Sequence, residues 1–302
     1  MQVITSPLTG ATTVNKLKVI PVDDLLRDWQ AGFGIDISNE LGDCREIYLY
    51  QCAETKLKFF VPEHLSGSEQ LYAQLQKFDW FYMDTKWEFD IALSDLHGCR
   101  EVLEVGSGTG AFVQRGLNAG FNIRGLELSR AALAIAKQKN LPIEKIDLSE
   151  ISAQYPDHFD AVCSFQVLEH VSNPKEFLNW SISTLKPGGK LIVCVPNSDS
   201  FLKYQYNLLN MPPHHMTQWS REALFSLEKI FPLRVLSVKY EPLASYHVAG
   251  FLRAYADHYK SRSVLDKIFF SDSMITLYEK LMMTGWRKLF RGQSIYCCFQ
   301  KV

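Results

Sequence analysis

Between residues 99 and 243 the chain repeats one pattern, a short apolar run followed by an amphipathic stretch. EVLEV (101–105), NIRGLE (122–127), a short run near 143–147, FDAVCSF (159–165) and GKLIVCVP (189–196) read as strands, and 109–119, 129–140 and 174–185 as the helices between them. Strands this apolar must be buried on both faces, which a parallel sheet layered with helices provides. The fold class is therefore α/β. A helix over 221–230 and a strand near 233–240 extend the series, residues 246–290 read as helices, and the terminal SIYCCFQKV reads as a final strand. A helical insertion thus separates the last two strands.

The sharpest local signal is Glu104-Val-Gly106-Ser107-Gly108-Thr-Gly110, between the first strand of the series and its helix. Glycines let the backbone turn tightly and approach a ligand without a Cβ in the way, and a helix N-terminus offers free N–H groups to an anion. A glycine loop alone is shared by many nucleotide-binding folds. Here the spacing is G-x-G-x-G preceded by an acid, unlike the dinucleotide fingerprint G-x-G-x-x-G, and the second strand ends in Glu127, placed to accept hydrogen bonds from ribose hydroxyls.

These motifs, in this order, resemble the class I S-adenosylmethionine (SAM)-dependent methyltransferases. VLEVGSGTG matches the first motif of that family, GLELS the acidic motif after the second strand, the run ending at Asp147-Leu148 the adenine-contacting position, FDAVCSFQVLEHV the fourth-strand motif and LKPGGKLIVCVPN the fifth. The resemblance covers residues 71–243. It implies a Rossmann-like, seven-stranded sheet whose last strand runs antiparallel, a part the terminal SIYCCFQKV fits. It also implies SAM as cofactor, with Gly106, Ser107, Gly108 and Gly110 lining its methionine part and Glu104 near its amino group. Glu127 would hold the ribose with Leu128 beside the adenine, Asp147 and Leu148 would meet the adenine, and Phe165 and Gln166 would flank the sulfonium. Asp147 also has the form of a helix N-cap, and Glu104 could serve as a loop cap.

Residues 71–98 read as a helix on the spacing of Leu71, Leu75, Phe78, Tyr82, Phe89 and Leu93. Its aromatics FDWFYMDTKWEFD (78–90) either close over the sulfonium, a cation that ring faces attract, or pack the helix on the sheet. In related enzymes a tyrosine here reaches the methionine carboxylate, which singles out Tyr82.

Residues 1–70 carry short β-like runs at 46–51 and 56–61 and form a separate small module; 71–243 with 292–302 form the SAM-binding core, and 244–291 the insertion. The module resembles the zinc ribbon that opens many methyltransferases of modified sugars and surface polysaccharides. Ser6, Thr9, Cys52 and Thr55 stand where two C-x-x-C pairs would be. A structural zinc needs about four N or S ligands, and one thiolate cannot hold it, so no metal is expected. An unrelated β module is the other reading.

On the acceptor side, Met211-Pro-Pro-His214-His215-Met-Thr217-Gln218-Trp219-Ser220 follows the fifth strand, and loops at the carboxyl ends of such strands form active sites. The run resembles the PPHH-x-T-x-WS stretch of the same methyltransferase group, with Gln218 where arginine is common. Histidine suits proton removal near neutral pH, so His214 and His215 are candidate bases and His170, in LEHV, a third. Ser220 reads as an N-cap.

The net charge of -1 lacks the basic excess of a duplex binder. Together with the resemblance to methyltransferases of modified sugars, this makes the expected acceptor a small molecule such as a sugar, glycolipid headgroup or secondary metabolite. A protein or RNA acceptor, or a non-catalytic SAM-binding protein, are the alternatives. The first residues lack a secretory pattern, no run is long enough to span a bilayer, and seven scattered cysteines fit a reducing compartment. The expectation is a cytoplasmic enzyme without stable membrane association. The stripe Met274, Tyr278, Leu281, Met282, Trp286 and Leu289 in the insertion is expected to pack over the acceptor side of the sheet, with a flank that only stabilises, a homodimer contact or a membrane contact as the other readings.

Overall fold

The computed structural model describes residues 3–260 and 263–302. Residues 1 and 2, at the start of the expected N-terminal module, and 261 and 262, within the expected insertion, lie outside the described residues. The strands are β1 (Val14–Pro21), β2 (Glu46–Cys52), β3 (Lys58–Val61), β4 (Glu101–Val105), β5 (Asn122–Leu126), β6 (Ile143–Glu144), β7 (Phe159–Phe165), β8 (Leu185–Pro196), β9 (Thr217–Gln218), β10 (Leu233–Pro242) and β11 (Arg291–Lys301). Seven of them form one sheet in the order β10-β11-β8-β7-β4-β5-β6. The central neighbours β7-β8, β4-β7, β4-β5 and β5-β6 pair in parallel, whereas β11 runs antiparallel to both β8 and β10. This is the Rossmann-like methyltransferase sheet. Its apolar strands supply a core on each face: Leu103, Val162, Leu191, Val193 and Phe299 point to one side, and Val102, Ala161, Ile192, Cys194 and Tyr296 to the other. The alternation along each strand is what sends neighbours to opposite faces.

A second sheet, in the order β1-β2-β3-β9, makes the N-terminal module. Strand β1 and the helix Val22–Phe33 that follows it were not legible in sequence. All but one of the first seven residues of β1 are at least partly exposed, so the strand shows no apolar alternation. The helix has a clear apolar edge, Val22, Leu25 and Trp29, which packs into a separate core with Ile47, Phe60 and Leu71. The thiol of Cys52 is fully buried and receives hydrogen bonds involving the Ser6 and Thr55 side chains, which hold it below its usual range against the opposing effect of burial. Strand β9 belongs to the loop after β8 but pairs with β3, at Lys58 with Gln218 and Phe59 with Thr217. One short ladder thus ties the small sheet to the loop that carries the paired histidines.

Two expectations need correction. The single helix expected over 71–98 is two helices, Glu69–Leu75 and Trp87–Asp95. Between them the aromatic run turns back on the module: Phe78 lies 5.9 Å from Phe33 and stacks on Trp80 at 5.4 Å. The gain from burying these rings against Trp29 and Phe33 outweighs the modest helical propensity of aromatic residues. In the insertion, helix Asp272–Met283 packs by its Ile275, Tyr278 and Met282 edge against Phe251 and Leu252 of helix Val248–Tyr259. The rest of the expected stripe stays outside, with Leu281 48%, Trp286 57% and Leu289 75% exposed. The cause is Gly285, whose φ of 117° turns the chain, so that Trp286 and Leu289 leave the helical register. Arg287 is spent on the Leu243 carbonyl at 2.7 Å. Among the described residues no helix is long and apolar enough to cross a membrane.

Candidate active site

Strand β4 ends at Val105 and runs directly into the glycine loop. Gly106, Gly108 and Gly110 have φ of 76°, 53° and 83°, a region L side chains avoid. The three are not equivalent. A Cβ at Gly110 would meet Leu141 and Ile143, so this glycine is required for packing against the segment leading into β6. A Cβ at Gly106 would meet Val167 at 2.4 Å, and one at Gly108 would meet the Tyr82 ring at 2.7 Å, so both face the cleft above the carboxyl ends of β4 and β7. The Gly106 and Ser107 amides donate to the Leu126 carbonyl at 2.8 and 2.9 Å, which draws the loop onto the end of β5. The Ser107 hydroxyl donates to the Leu126 and Glu104 carbonyls and is thereby spent on the loop itself.

Glu127 follows β5 and is held from two sides. Gly108 N–H donates to one carboxylate oxygen and Ser129 N–H to the other, each at 2.7 Å. A carboxylate has about four acceptor sites, so the remaining lone pairs face the cleft in a fixed direction, an arrangement suited to a pair of hydroxyls. Beside it Leu128 is 55% exposed, an apolar face left uncovered next to a polar one. Asp147 caps helix Leu148–Gln154, accepting from Ser149 N at 2.8 Å through one oxygen and leaving the other oxygen outside these bonds. Leu148 and Phe165 depart from expectation. Leu148 turns into the core beneath the sheet, and Phe165 packs between Phe89 and Phe112 at 5.4 and 4.7 Å. Leu148 is the first helical residue after its cap, and Phe165 takes the inward side of the strand pleat. Gln166, by contrast, has a φ of 57° and turns its amide toward Ser294 at the mouth of β11.

Glu104 is fully buried, and burial pushes its carboxyl well above the usual range; Glu127 adds to the effect and Lys86 opposes it. Its Oε2 has no hydrogen-bond partner among the described residues. An orphaned, buried carboxylate oxygen beside a glycine cradle fits a cationic amino group, which is what the methionine end of SAM presents. The residues present therefore fit the cofactor. Tyr82 closes the cleft over Gly108. Burial, with the charge of Glu127, raises its phenol, while a hydrogen bond with Ser129 opposes. Its hydroxyl lies beside Ser129 and Glu127.

The three histidines singled out in the sequence come together. The ring centroids of His170 and His214 are 4.6 Å apart, those of His170 and His215 4.7 Å, and the rings of His214 and His215 stack at 4.6 Å. The short 3-10 turn Leu168–His170, just beyond β7, brings in the first. The loop 211–216 brings in the other two, and it is fixed by Met216 N–H donating to the Glu169 carbonyl and by Gly67 N–H donating to the Pro213 carbonyl. Thr217 and Trp219 complete the support: the indole N–H donates to the Thr217 hydroxyl at 2.9 Å, and that hydroxyl meets the Leu168 carbonyl. Ser220 caps the next helix through Ala223 N, as expected. Burial lowers the imidazoles, His170 to about 4, His214 to about 3, and His215 well below its usual value. All three are neutral at pH 7.

Sequence reasoning missed several members of this pocket. Tyr72, on helix Glu69–Leu75, sets its hydroxyl 3.1 Å from His170 Nδ1. Glu169 is buried with both carboxylate oxygens unpartnered and is pushed up to about 8 by burial. Glu88, also buried, is raised for the same reason, with Lys86 and Gln166 opposing. The signal for Glu169 was its place next to His170; for Tyr72 and Glu88 no local pattern exists, because only the tertiary fold brings them here. A cavity of 780 Å³ opens elsewhere, between Asn197, Asp199 and Arg221 of the core and Phe251, Leu289 and Phe290 of the insertion segment. It touches neither the glycine loop nor the histidines.

A parallel sheet closed by an antiparallel strand, with a glycine loop after its first strand and an acid after its second, defines a class I SAM-dependent methyltransferase. A family model for methyltransferase domains matches residues 48–237, and the chain belongs to that family. Its cofactor is SAM. The ubiquinone biosynthesis O-methyltransferase of Dechloromonas aromatica is 27% identical over 174 residues, spanning 50% of this chain and 73% of that protein. The corresponding protein of Alkalilimnicola ehrlichii is 29% identical over 154 residues, 43% of this chain and 62% of its own length. A solved SAM-dependent methyltransferase from Archaeoglobus fulgidus superposes with a TM-score of 0.45 at 21% identity, covering 70% of this chain and 94% of that one.

Proposed function

We propose that this enzyme methylates a hydroxyl oxygen of a small molecule, a sugar, glycolipid headgroup or secondary metabolite, and that His214 or His215 takes the acceptor proton. The observation that carries the reading is the buried Nε2 of His214, which has no partner in the protein. Its Nδ1 faces the Leu209 carbonyl at 2.8 Å. A carbonyl only accepts, so the hydrogen sits on Nδ1 and Nε2 offers a lone pair. Similarity to O-methyltransferases of ubiquinone biosynthesis supports oxygen as the atom methylated and a small molecule as its bearer.

Bound SAM supplies an electrophilic methyl on a positively charged sulfur. Glu104 would hold its amino group, Gly106 and Gly108 its methionine backbone, Glu127 its ribose, with Tyr82, Leu128, Asp147 and Gln166 around it. The acceptor hydroxyl would donate to a histidine Nε2. That nitrogen would take the proton as the hydroxyl oxygen became methylated, so the imidazole would carry the positive charge and the pocket would keep its net charge. Alignment of oxygen, methyl and sulfur would supply much of the rate.

The same reading assigns residues 1–70 to a ribbon that has lost its zinc ligands and now docks the PPHH-x-T-x-WS loop through β9. Residues 71–243 with 292–302 form the catalytic core, and 244–291 flank it. Function in the cytoplasm, without nucleic acid and without stable membrane association, belongs to this proposal.

Deuteromethyl-SAM incubated with a panel of sugars, glycolipid headgroups and phenols tests it by mass spectrometry. The expected product carries the label on oxygen. Label found only on amines, protein or RNA would overturn it.

A further inference from the structure

His170, His214 and His215 share more than proximity. One ring nitrogen of each lies within 4.8 Å of one from each of the others. In every ring Nδ1 faces an oxygen: the His214 carbonyl at 2.5 Å from His170, the Leu209 carbonyl at 2.8 Å from His214, and Asn210 Oδ1 at 3.2 Å from His215. The Tyr72 hydroxyl stands 3.1 Å from the same nitrogen of His170. Carbonyl oxygens that only accept fix the hydrogen on Nδ1 of His214, which leaves its Nε2 with a free lone pair. The Nε2 of His214 is buried and has no hydrogen-bond partner among the described residues. Buried polar atoms are rarely left unpaired, and desolvating an imidazole nitrogen without a partner costs free energy.

We propose that these three histidines bind a divalent transition-metal ion of the zinc, cobalt, nickel or iron type. Metal-ligating histidines characteristically donate their second ring N–H to a carbonyl or carboxamide oxygen, which fixes the ring and raises its basicity; all three rings here are already held in that way. A set of neutral imidazoles suits borderline ions, whereas magnesium and calcium select oxygen ligands. Three histidines leave a tetrahedral ion one open position, the pattern of catalytic and not structural zinc. At metal–nitrogen distances of about 2.0–2.1 Å the nitrogens of such a site lie roughly 3.3 Å apart, so nitrogens now within 4.8 Å of one another would draw together on binding. The inference deepens the proposed function and rests on its location of the acceptor: the open position would take the acceptor oxygen, and the ion would replace an imidazole as the group that favours its ionised form, the proton leaving to solvent. The ribbon is not involved, since of its four ligand positions, 6, 9, 52 and 55, only Cys52 is a cysteine.

The test uses the full chain, stripped with a chelator and titrated with Co(II). The expected result is one equivalent bound, with the visible d–d absorption of a four- or five-coordinate nitrogen site. His214→Gln and His215→Gln should each weaken binding by more than roughly tenfold, and Asn210→Ala, which frees the ring of His215, by about tenfold. Cys52→Ser should leave the spectrum unchanged. Calorimetry with S-adenosylhomocysteine confirms that each variant retains its fold. No saturable Co(II) binding to the wild-type chain, or binding that survives both histidine substitutions, overturns the proposal. Cobalt binding needs no acceptor, so its failure leaves the methyl-transfer reading standing, and failure to find a methylated hydroxyl leaves the metal site standing.

Discussion

The two ends of the active-site cleft are built in different ways. The cofactor end is local: Glu104, Gly106, Gly108 and, one strand later, Glu127 sit on a strand–loop–helix unit joined by backbone hydrogen bonds from Gly106, Ser107 and Gly108. The end proposed for the acceptor is assembled from Tyr72, Glu169, His170, His214 and His215, which lie on three separate segments brought together where β9 pairs with the N-terminal sheet. The first depends on backbone shape and tolerates variation of side chains around it. The second depends on side chains whose placement is fixed by the rest of the molecule. Substitutions should therefore separate cofactor affinity from turnover.

The largest separation is expected at the histidines. If His214 or His215 is the base proposed, replacing it with Ala should lower methyl transfer by about 10²–10⁴-fold, the usual contribution of a positioned base, and leave SAM affinity within roughly twofold. Steady-state kinetics paired with calorimetry checks both numbers. Loss of SAM affinity in step with turnover would break the comparison. At the other end, Gly106→Arg places a side chain where even a Cβ would meet Val167. SAM binding should weaken by at least roughly 100-fold, the loss expected when about two charge-assisted hydrogen bonds fail, and a thermal-shift titration with SAM reads it.

How far the sequence carried this account follows from the same contrast. The glycine loop, Glu127 and the strand–helix alternation are statements about neighbours in the chain, and their spacing encodes them. Tyr72 and Glu88 have no such spacing, since a tyrosine in an amphipathic helix and an acid near a helix start look like any other. The break between Leu75 and Trp87 was hidden because aromatic residues at helical spacing serve equally to pack a turn. In the insertion, the stripe continued on paper through Trp286 and Leu289, but a single glycine at 285 ended the register. Histidines 214 and 215 were visible as a pair, yet their joining with His170 required the 3-10 turn and the loop to be brought face to face.

Smaller effects sharpen the picture. In chelator-treated protein His214 protonates only near about 3, whereas an unfolded imidazole does so near about 6.5. Between those values the unfolded chain binds the extra proton, so stability falls as the pH falls. At about pH 5 this one ring costs about 2 kcal/mol relative to neutral pH. His214→Gln should lose less stability on acidification by about that amount, measured as denaturant midpoints at the two pH values; equal pH dependence in the two proteins would mean the ring is not buried as described. Smaller still, Tyr72→Phe removes only the hydroxyl beside His170, and turnover should fall by a factor of roughly 2–5, the worth of one ordinary hydrogen bond, with SAM affinity unchanged.

The central claim is that this chain binds SAM in the cleft between the glycine loop and Glu127. A calorimetric titration of the wild-type protein with S-adenosylhomocysteine, followed by competition with SAM, tests it most directly. The account predicts one site per chain, occupied by either ligand in competition and lost in Glu127→Ala. Absence of binding to the folded wild-type protein, or binding that Glu127→Ala leaves unchanged, would contradict it.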